Sequence, residues 1–156
     1  MNSRTITAFR LVAPRWESSA LSGEGARKFG GRWNSSGHPV VYLAETRALC
    51  ALELLVHLTT PETRIKPFVL MEIKIPARDV ASLEASTLPA DWNILPPTHG
   101  TMSIGDDWLG QNQSLVLRVP SAIVPEESNL LLNVSHPSMR EVELASRRTF
   151  HFDARL

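Results

Sequence analysis

Five of the chain's eight glycines are crowded between positions 23 and 37. This crowding constrains the fold more than any other feature. Glycine weakens regular helix and strand, lets the backbone bend sharply, and lets a ligand approach it closely. With Ser, Pro and Asn interspersed, residues 13–39 read as loop, and the regular elements have to come from elsewhere. The loop carries Gly30-Gly31-Arg32-Trp33-Asn34 and runs on through Gly37-His38-Pro39 to Val40-Val41-Tyr42. An arginine there is a fork for phosphate or carboxylate. The Trp and Tyr rings offer flat faces to a base or another ring. Such a segment is a recognition loop rather than core.

The remaining chain supplies the elements. Thr5 to Val12 is short, apolar and β-prone, suited to an edge or first strand ahead of Pro14. Val40 to Leu43 is a compact strand. Thr46 can cap a helix over Arg47 to Leu58, with Pro61 closing the segment. From Phe68 to Ile75, Val69, Met71, Ile73 and Ile75 share one face while Glu72 and Lys74 share the other, the pattern of a half-buried strand. Residues 84–113 hold Pro89, Pro96, Pro97, Gly100, Gly105 and Gly110 and read as irregular, anchored by Trp92 and Trp108. Asp106 to Leu109 fits a short helical turn. Leu115–Val119, Asn129–Val134 and Glu143–Phe152 complete the strands. Several short strands with one clear helix predict a mixed α+β domain with a largely antiparallel sheet.

Composition narrows the function classes. At 156 residues the chain suits one domain, 1–156, with a real core. Sixteen basic and sixteen acidic side chains cancel, which argues against binding nucleic acid through phosphate neutralisation. Cys50 is the only cysteine, so neither an intrachain disulfide nor a cysteine-built zinc site is available. The start, Met1-Asn2-Ser3-Arg4-Thr5, lacks a leader's apolar run. The longest apolar stretch, Ala48 to Leu58, is broken by Glu53 and too short to span a bilayer. A cytoplasmic protein without a membrane partner is expected.

Glu53 is the sharpest single residue. Its helical neighbours are Leu49, Cys50, Val56 and His57, and almost every face of the helix is apolar, so its carboxylate must be paired, solvated in a cleft, or raised in pKa. A structural ion pair and a functional carboxylate are both open from this segment alone. Arg32 taken alone fits a surface turn as well as a ligand loop, Tyr42 a core strand position, and Ser121 a turn after Val119-Pro120. There is no Gly-x-x-x-x-Gly-Lys-Ser/Thr loop, no third glycine completing a dinucleotide fingerprint from Gly23-x-Gly25, and no Gly-x-Ser-x-Gly elbow. The five histidines are scattered, and no metal site is expected.

Taken together, these residues resemble the RES-domain family, the toxin component of many bacterial RES–Xre toxin–antitoxin pairs. The resemblance runs from Phe9-Arg10 to His136-Pro137. It rests on Ser22-Gly23-Glu24-Gly25-Ala26-Arg27, Gly30-Gly31-Arg32-Trp33-Asn34, Val40-Val41-Tyr42, Ala51-Leu52-Glu53, Gly105-Asp106 with Trp108-Leu109, Val119-Pro120-Ser121-Ala122, and Asn129 with Asn133. One departure is visible: the family commonly reads Asn-Pro before His-Pro, whereas Val134-Ser135 follows Asn133 here. The resemblance implies an ADP-ribosyltransferase-like fold, with two small antiparallel sheets and surrounding helices about a cleft. It implies NAD as substrate rather than as a held cofactor, with cleavage of the nicotinamide–ribose bond by hydrolysis or phosphorolysis. Arg32, Tyr42 and Glu53 fall on the family's catalytic set and Ser121 on its serine. Arg10 and Asn133 match positions that line or support the NAD site.

On that basis, Glu53 would stabilise the oxocarbenium-like ribose left as nicotinamide departs. Arg32 would anchor the pyrophosphate, Tyr42 would stack on nicotinamide, and Ser121 would hydrogen-bond the ribose or carboxamide. Protein ADP-ribosylation is the alternative within enzymes, and a non-catalytic nucleotide- or partner-binding module the alternative outside them. An Xre-type helix-turn-helix antitoxin is the implied partner, covering or plugging the cleft. An oligomer in complex with that antitoxin stays open.

Overall fold

The computed structural model describes residues 4–156; Met1 to Ser3, part of the segment read as lacking a leader, lie outside the described residues. Seven strands hydrogen-bond in the order β4-β5-β6-β2-β1-β3-β7. They are β1 (Thr5–Val12), β2 (Val41–Ala44), β3 (Phe68–Pro76), β4 (Val80–Ser82), β5 (Val116–Pro120), β6 (Ser128–Leu132) and β7 (Glu143–Phe150). All neighbours are antiparallel except β4 and β5. The helices are α1 (Glu24–Phe29), α2 (Arg47–Leu55), α3 (Pro61–Arg64) and α4 (His99–Gln111). The α+β expectation holds.

The implied pair of small sheets survives as two lobes of one sheet. β1 pairs with β3 along its whole length, from Thr5↔Pro76 to Val12↔Val69. β2 pairs with β6 from Val41↔Leu132 to Ala44↔Asn129. Between the lobes, β1 and β2 meet only at Phe9↔Ala44. The strands splay on either side of that pair, and Arg10 Nη1 donates to the Tyr42 carbonyl across the gap at 2.9 Å. β1 is therefore an internal strand, not an edge.

Strand periodicity divides the core. Val69, Met71, Ile73 and Ile75 of β3 join Ala8, Val41, Leu43, Leu130 and Leu132 on one face. Phe68 and Leu70 turn the other way and pack with Phe9, Leu11, Leu49 and Cys50 beneath α2. A third cluster, Trp33, Trp92, Trp108, Leu117, Val119 and Leu131, lies beneath α4.

Two expectations need correction. The glycine segment is not all loop: α1 forms within it, between Gly23 at φ 74° and Gly30 at φ 70°, conformations glycine adopts without strain. The segment read as irregular contains α4, thirteen residues long. Three glycines obscure that helix, each costing about 1 kcal/mol of helix propensity. Packing overrides them, since Thr101, Gly105 and Trp108 bury one face at helical spacing. Gly105 is needed there: a Cβ would stand 1.6 Å from the Trp33 carbonyl oxygen. Asn112, left-handed at φ 52°, ends the helix. Among the described residues, no helix is long and apolar enough to cross a membrane.

Candidate active site

A cavity of about 830 Å³ opens where the two lobes of the sheet part. Arg10 from β1, Arg32 from the glycine segment, Tyr42 from β2 and Glu53 from α2 all line it. None of the three charged residues is in an ion pair among the described residues, although each lies in a folded, partly enclosed setting.

Glu53 is placed by a well-defined helix. The Thr46 hydroxyl caps α2 by accepting from the Leu49 amide at 3.1 Å. Leu49 and Cys50, one turn before Glu53, pack α2 against β1 and β3. One turn further on, the carboxylate faces the cavity and accepts from the Ser121 hydroxyl at 2.8 Å. Ser121 has no exposed surface, and its oxygen accepts from the amides of Ile123 and Val124, each at 3.1 Å. Those two donors orient the hydroxyl so that its proton points at Glu53. The serine therefore stands behind the carboxylate, outside the cavity lining, and its hydroxyl is directed to Glu53.

The opposite wall is a loop folded upon itself. Tyr42 donates its hydroxyl to Asn34 Oδ1 at 2.5 Å and accepts from the Trp33 amide at 3.1 Å. Asn34 is fully buried, and its amide nitrogen donates to the carbonyls of Ala26, Ser35 and His38. Gly31 allows this close approach, since a Cβ would lie 2.7 Å from the phenolic oxygen. Burial pushes the Tyr42 phenol well above its ordinary value. Arg32 Nη1 donates to the carbonyls of Trp92 at 2.9 Å and Ile94 at 2.8 Å, leaving the rest of the guanidinium for a ligand. Burial lowers its pKa, while Glu53 and then Tyr42 oppose the shift, which places Arg32 within electrostatic reach of the carboxylate.

Arg10 sits deeper. Its Nε–H is buried without a partner, and burial lowers its pKa. A buried donor of this kind calls for an anion or a polar ligand atom. Beside it the Cys50 thiol is pushed up to about 12 by burial, with Arg10 pulling the other way.

The fold thus brings Arg10, Arg32, Tyr42 and Glu53 together. It does not bring Asn133. That residue lies just past the end of β6, four residues from the cavity-lining Asn129 and roughly 13 Å from it at strand rise, and its side chain bonds Asn112 at 2.7 Å and the Ser135 amide at 3.1 Å. Asn129, at the other end of β6, lines the cavity instead, as does His57 one turn beyond Glu53. The i, i+4 spacing already puts His57 beside Glu53 in the sequence, without a role, and Asn129 and Asn34 are visible there only as parts of the family pattern. Two guanidinium groups suit a diphosphate, the tyrosine ring suits a flat heterocycle, and the carboxylate suits sugar hydroxyls or developing positive charge.

The RES domain matches residues 7–153. A protein named Toxin Res from Photorhabdus laumondii is 40% identical over 149 residues, 95% of each chain. The Prs ADP-ribosylating toxin of a Sphingobium species is 39% identical over 157 residues, 97% of each. The fold is also that found in the crystal structure of the Mycobacterium tuberculosis MbcT–MbcA toxin–antitoxin complex. The likeness has a TM-score of 0.78 at 24% identity and covers 96% of this chain and 86% of that one. By sequence, MbcT, named an NAD(+) phosphorylase, is 32% identical over 98 residues, 58% of this chain and 50% of its own. With the domain matched nearly end to end and relatives at this identity over almost their full length, the chain belongs to the RES-domain family.

Proposed function

We propose that this protein is a toxin that consumes NAD by breaking the bond between nicotinamide and ribose. The observation that carries the reading is the cavity itself: Glu53, Arg32, Arg10 and Tyr42 line it together, and among the described residues neither the carboxylate nor either of these two guanidinium groups is consumed in an ion pair. The pyrophosphate lies against Arg32, with Arg10 as the second cation. The nicotinamide ring lies on Tyr42, which fixes its direction of departure. As the C–N bond lengthens, positive charge grows on the ribose and neutral nicotinamide leaves. Glu53 stabilises that charge, and Ser121 keeps the carboxylate aimed without neutralising it. An acceptor, water or phosphate, then takes the ribosyl carbon. The protein acts in the cytoplasm under an antitoxin of the Xre helix-turn-helix type.

The purified protein is expected to consume NAD and release nicotinamide. Glu53→Gln keeps the bond from Ser121 and removes the charge, so turnover should fall by roughly 100- to 1000-fold with the fold intact. Wild-type consumption by this variant would overturn the role of Glu53. A second reading, transfer of ADP-ribose to a protein, is favoured by the name of the Sphingobium relative. Labelled NAD in cell extract separates the two: label entering protein supports transfer, and label confined to small molecules supports hydrolysis or phosphorolysis. Growth arrest by this chain alone, reversed by its neighbouring gene product, tests the toxin assignment.

A further inference from the structure

We propose that Asn34 is a positioning residue that sets the Tyr42 ring across the cavity, so that nicotinamide meets it in a single orientation. The inference rests on the NAD reading above. Asn34 contacts no solvent and does not line the cavity. Its amide nitrogen serves the loop, donating to Ala26 at 3.0 Å, Ser35 at 3.1 Å and His38 at 3.4 Å. Its oxygen serves a different purpose and accepts from the one hydroxyl belonging to a cavity-lining ring, at 2.5 Å. A buried amide oxygen needs a donor in any case; here that donor is the hydroxyl of the ring that lines the cavity, which ties the loop to the site.

The Tyr42 hydroxyl also accepts from the Trp33 amide, so both of its hydrogen-bonding directions are committed to one loop. That loop is in turn held by α4. Asp106 accepts from the Ser35 amide at 3.0 Å and from its hydroxyl at 2.5 Å, and Gly105 packs on the Trp33 carbonyl. Asn34 is thus the joint between a distant helix and the ring. Aspartate offers the acceptor without the donors, and an apolar isostere offers neither.

Tyr42 is the only tyrosine, so tyrosinate absorbance during an alkaline titration reports this ring alone. In Asn34→Ala the phenol loses its acceptor and gains water, and should ionise at clearly lower pH than in the wild type. Asn34→Asp keeps the acceptor and should not show that decrease. Turnover should follow the same order. Asn34→Ala should lower kcat by roughly ten- to a hundredfold with a much smaller change in KM. Asn34→Asp should keep more of kcat even though it loses the two N–H donors of the amide, and stability with them. Tyr42→Phe should lower kcat by a similar factor, and the double variant should be no worse than the poorer single. An unmoved titration, additive losses, or activity that simply follows stability would each overturn the proposal. If Asn34→Ala does not fold, Asn34→Asp and Tyr42→Phe still decide it: a kcat in Asn34→Asp no better than in Tyr42→Phe counts against it. A shifted titration in a protein without NAD turnover would leave the ring-setting role standing and sink the NAD reading instead.

Discussion

The two walls of the cavity hold their polar groups by different means. Glu53 stands on α2, a helix with its own backbone hydrogen bonds, a threonine cap and a buried underside, and a single hydroxyl from Ser121 completes its support. Arg32 and the anchor of Tyr42 stand on a loop whose own ladder is one bridge, Gly31↔Asn34. That loop is fixed from outside, by Asp106 seventy-one residues away, by α4 lying on Trp33, and by the carbonyls of Trp92 and Ile94. A helix carries its order with it, whereas a loop borrows order from tertiary contacts. The loop wall should therefore be the one damaged by remote substitutions.

The largest expected effect tests this at α4. In Gly105→Ala, better helix propensity gains about 1 kcal/mol. The methyl, however, would have to enter space held by the Trp33 carbonyl oxygen, 1.6 Å away. Overpacking against backbone costs about 3 kcal/mol, so the net loss is about 2 kcal/mol. For a domain of this size that lowers Tm by roughly 5 °C. Turnover should drop as well, although Gly105 does not line the cavity. Gly110 is the control: a Cβ there meets nothing within 4 Å, so Gly110→Ala should stabilise by up to about 1 kcal/mol. Thermal melts of the pair decide, and equal shifts in one direction would remove the special role of the α4 contact.

The same contrast explains what the residues disclosed beforehand. The helix wall was legible because its cues are local: a threonine cap, an apolar run and one misplaced carboxylate within eight residues. The strands were legible for the same reason, since alternation is local. α4 was not, because its glycines look like loop until one knows that Trp33 lies against Gly105. The single-pair junction between β1 and β2 was equally hidden, because no local pattern reports how far strands diverge. Ser121 and Asn133 were read as ligand residues on the strength of the family resemblance. Their complete burial, one behind Glu53 and one at the far end of β6, is a property of packing that a motif does not encode.

Next in size is Arg32→Ala. It removes a charged donor from the cavity and also two hydrogen bonds to the 92–94 segment. Losing a charge-assisted contact costs about 2 kcal/mol, so KM for NAD should rise roughly thirtyfold, with kcat less affected. Steady-state kinetics check this, and an unchanged KM and rate would rule out the phosphate role. Ser121→Ala probes the helix wall and should do less. Glu53 keeps its place on α2 but loses one hydrogen bond to its charge, and two amides lose their acceptor. A cost of about 1.5 kcal/mol at the carboxylate predicts kcat lowered about tenfold. A loss as large as that of Glu53→Gln would mean that Ser121 does more than aim the carboxylate.

The smallest effect appears in alkali, where each wall contributes a group of its own. Cys50 lies on α2, and its thiol rises from an ordinary value of 9.0 to about 12 through burial. Tyr42, facing from the loop wall, is also raised by burial from its ordinary 10.0. In both cases the unfolded chain releases its proton first, so the native state binds more protons and stability must fall as pH rises. The fall begins near pH 9 with Cys50, continues to about pH 12, and is joined by Tyr42 from about pH 10. Each group adds a slope of at most about 1.4 kcal/mol per pH unit. Denaturant unfolding at stepped pH should therefore lose its first, lower-pH slope in Cys50→Ala and its second in Tyr42→Phe. A wild-type profile flat between pH 9 and 10 would mean that water reaches Cys50 and that the underside of α2 is looser than the loop opposite.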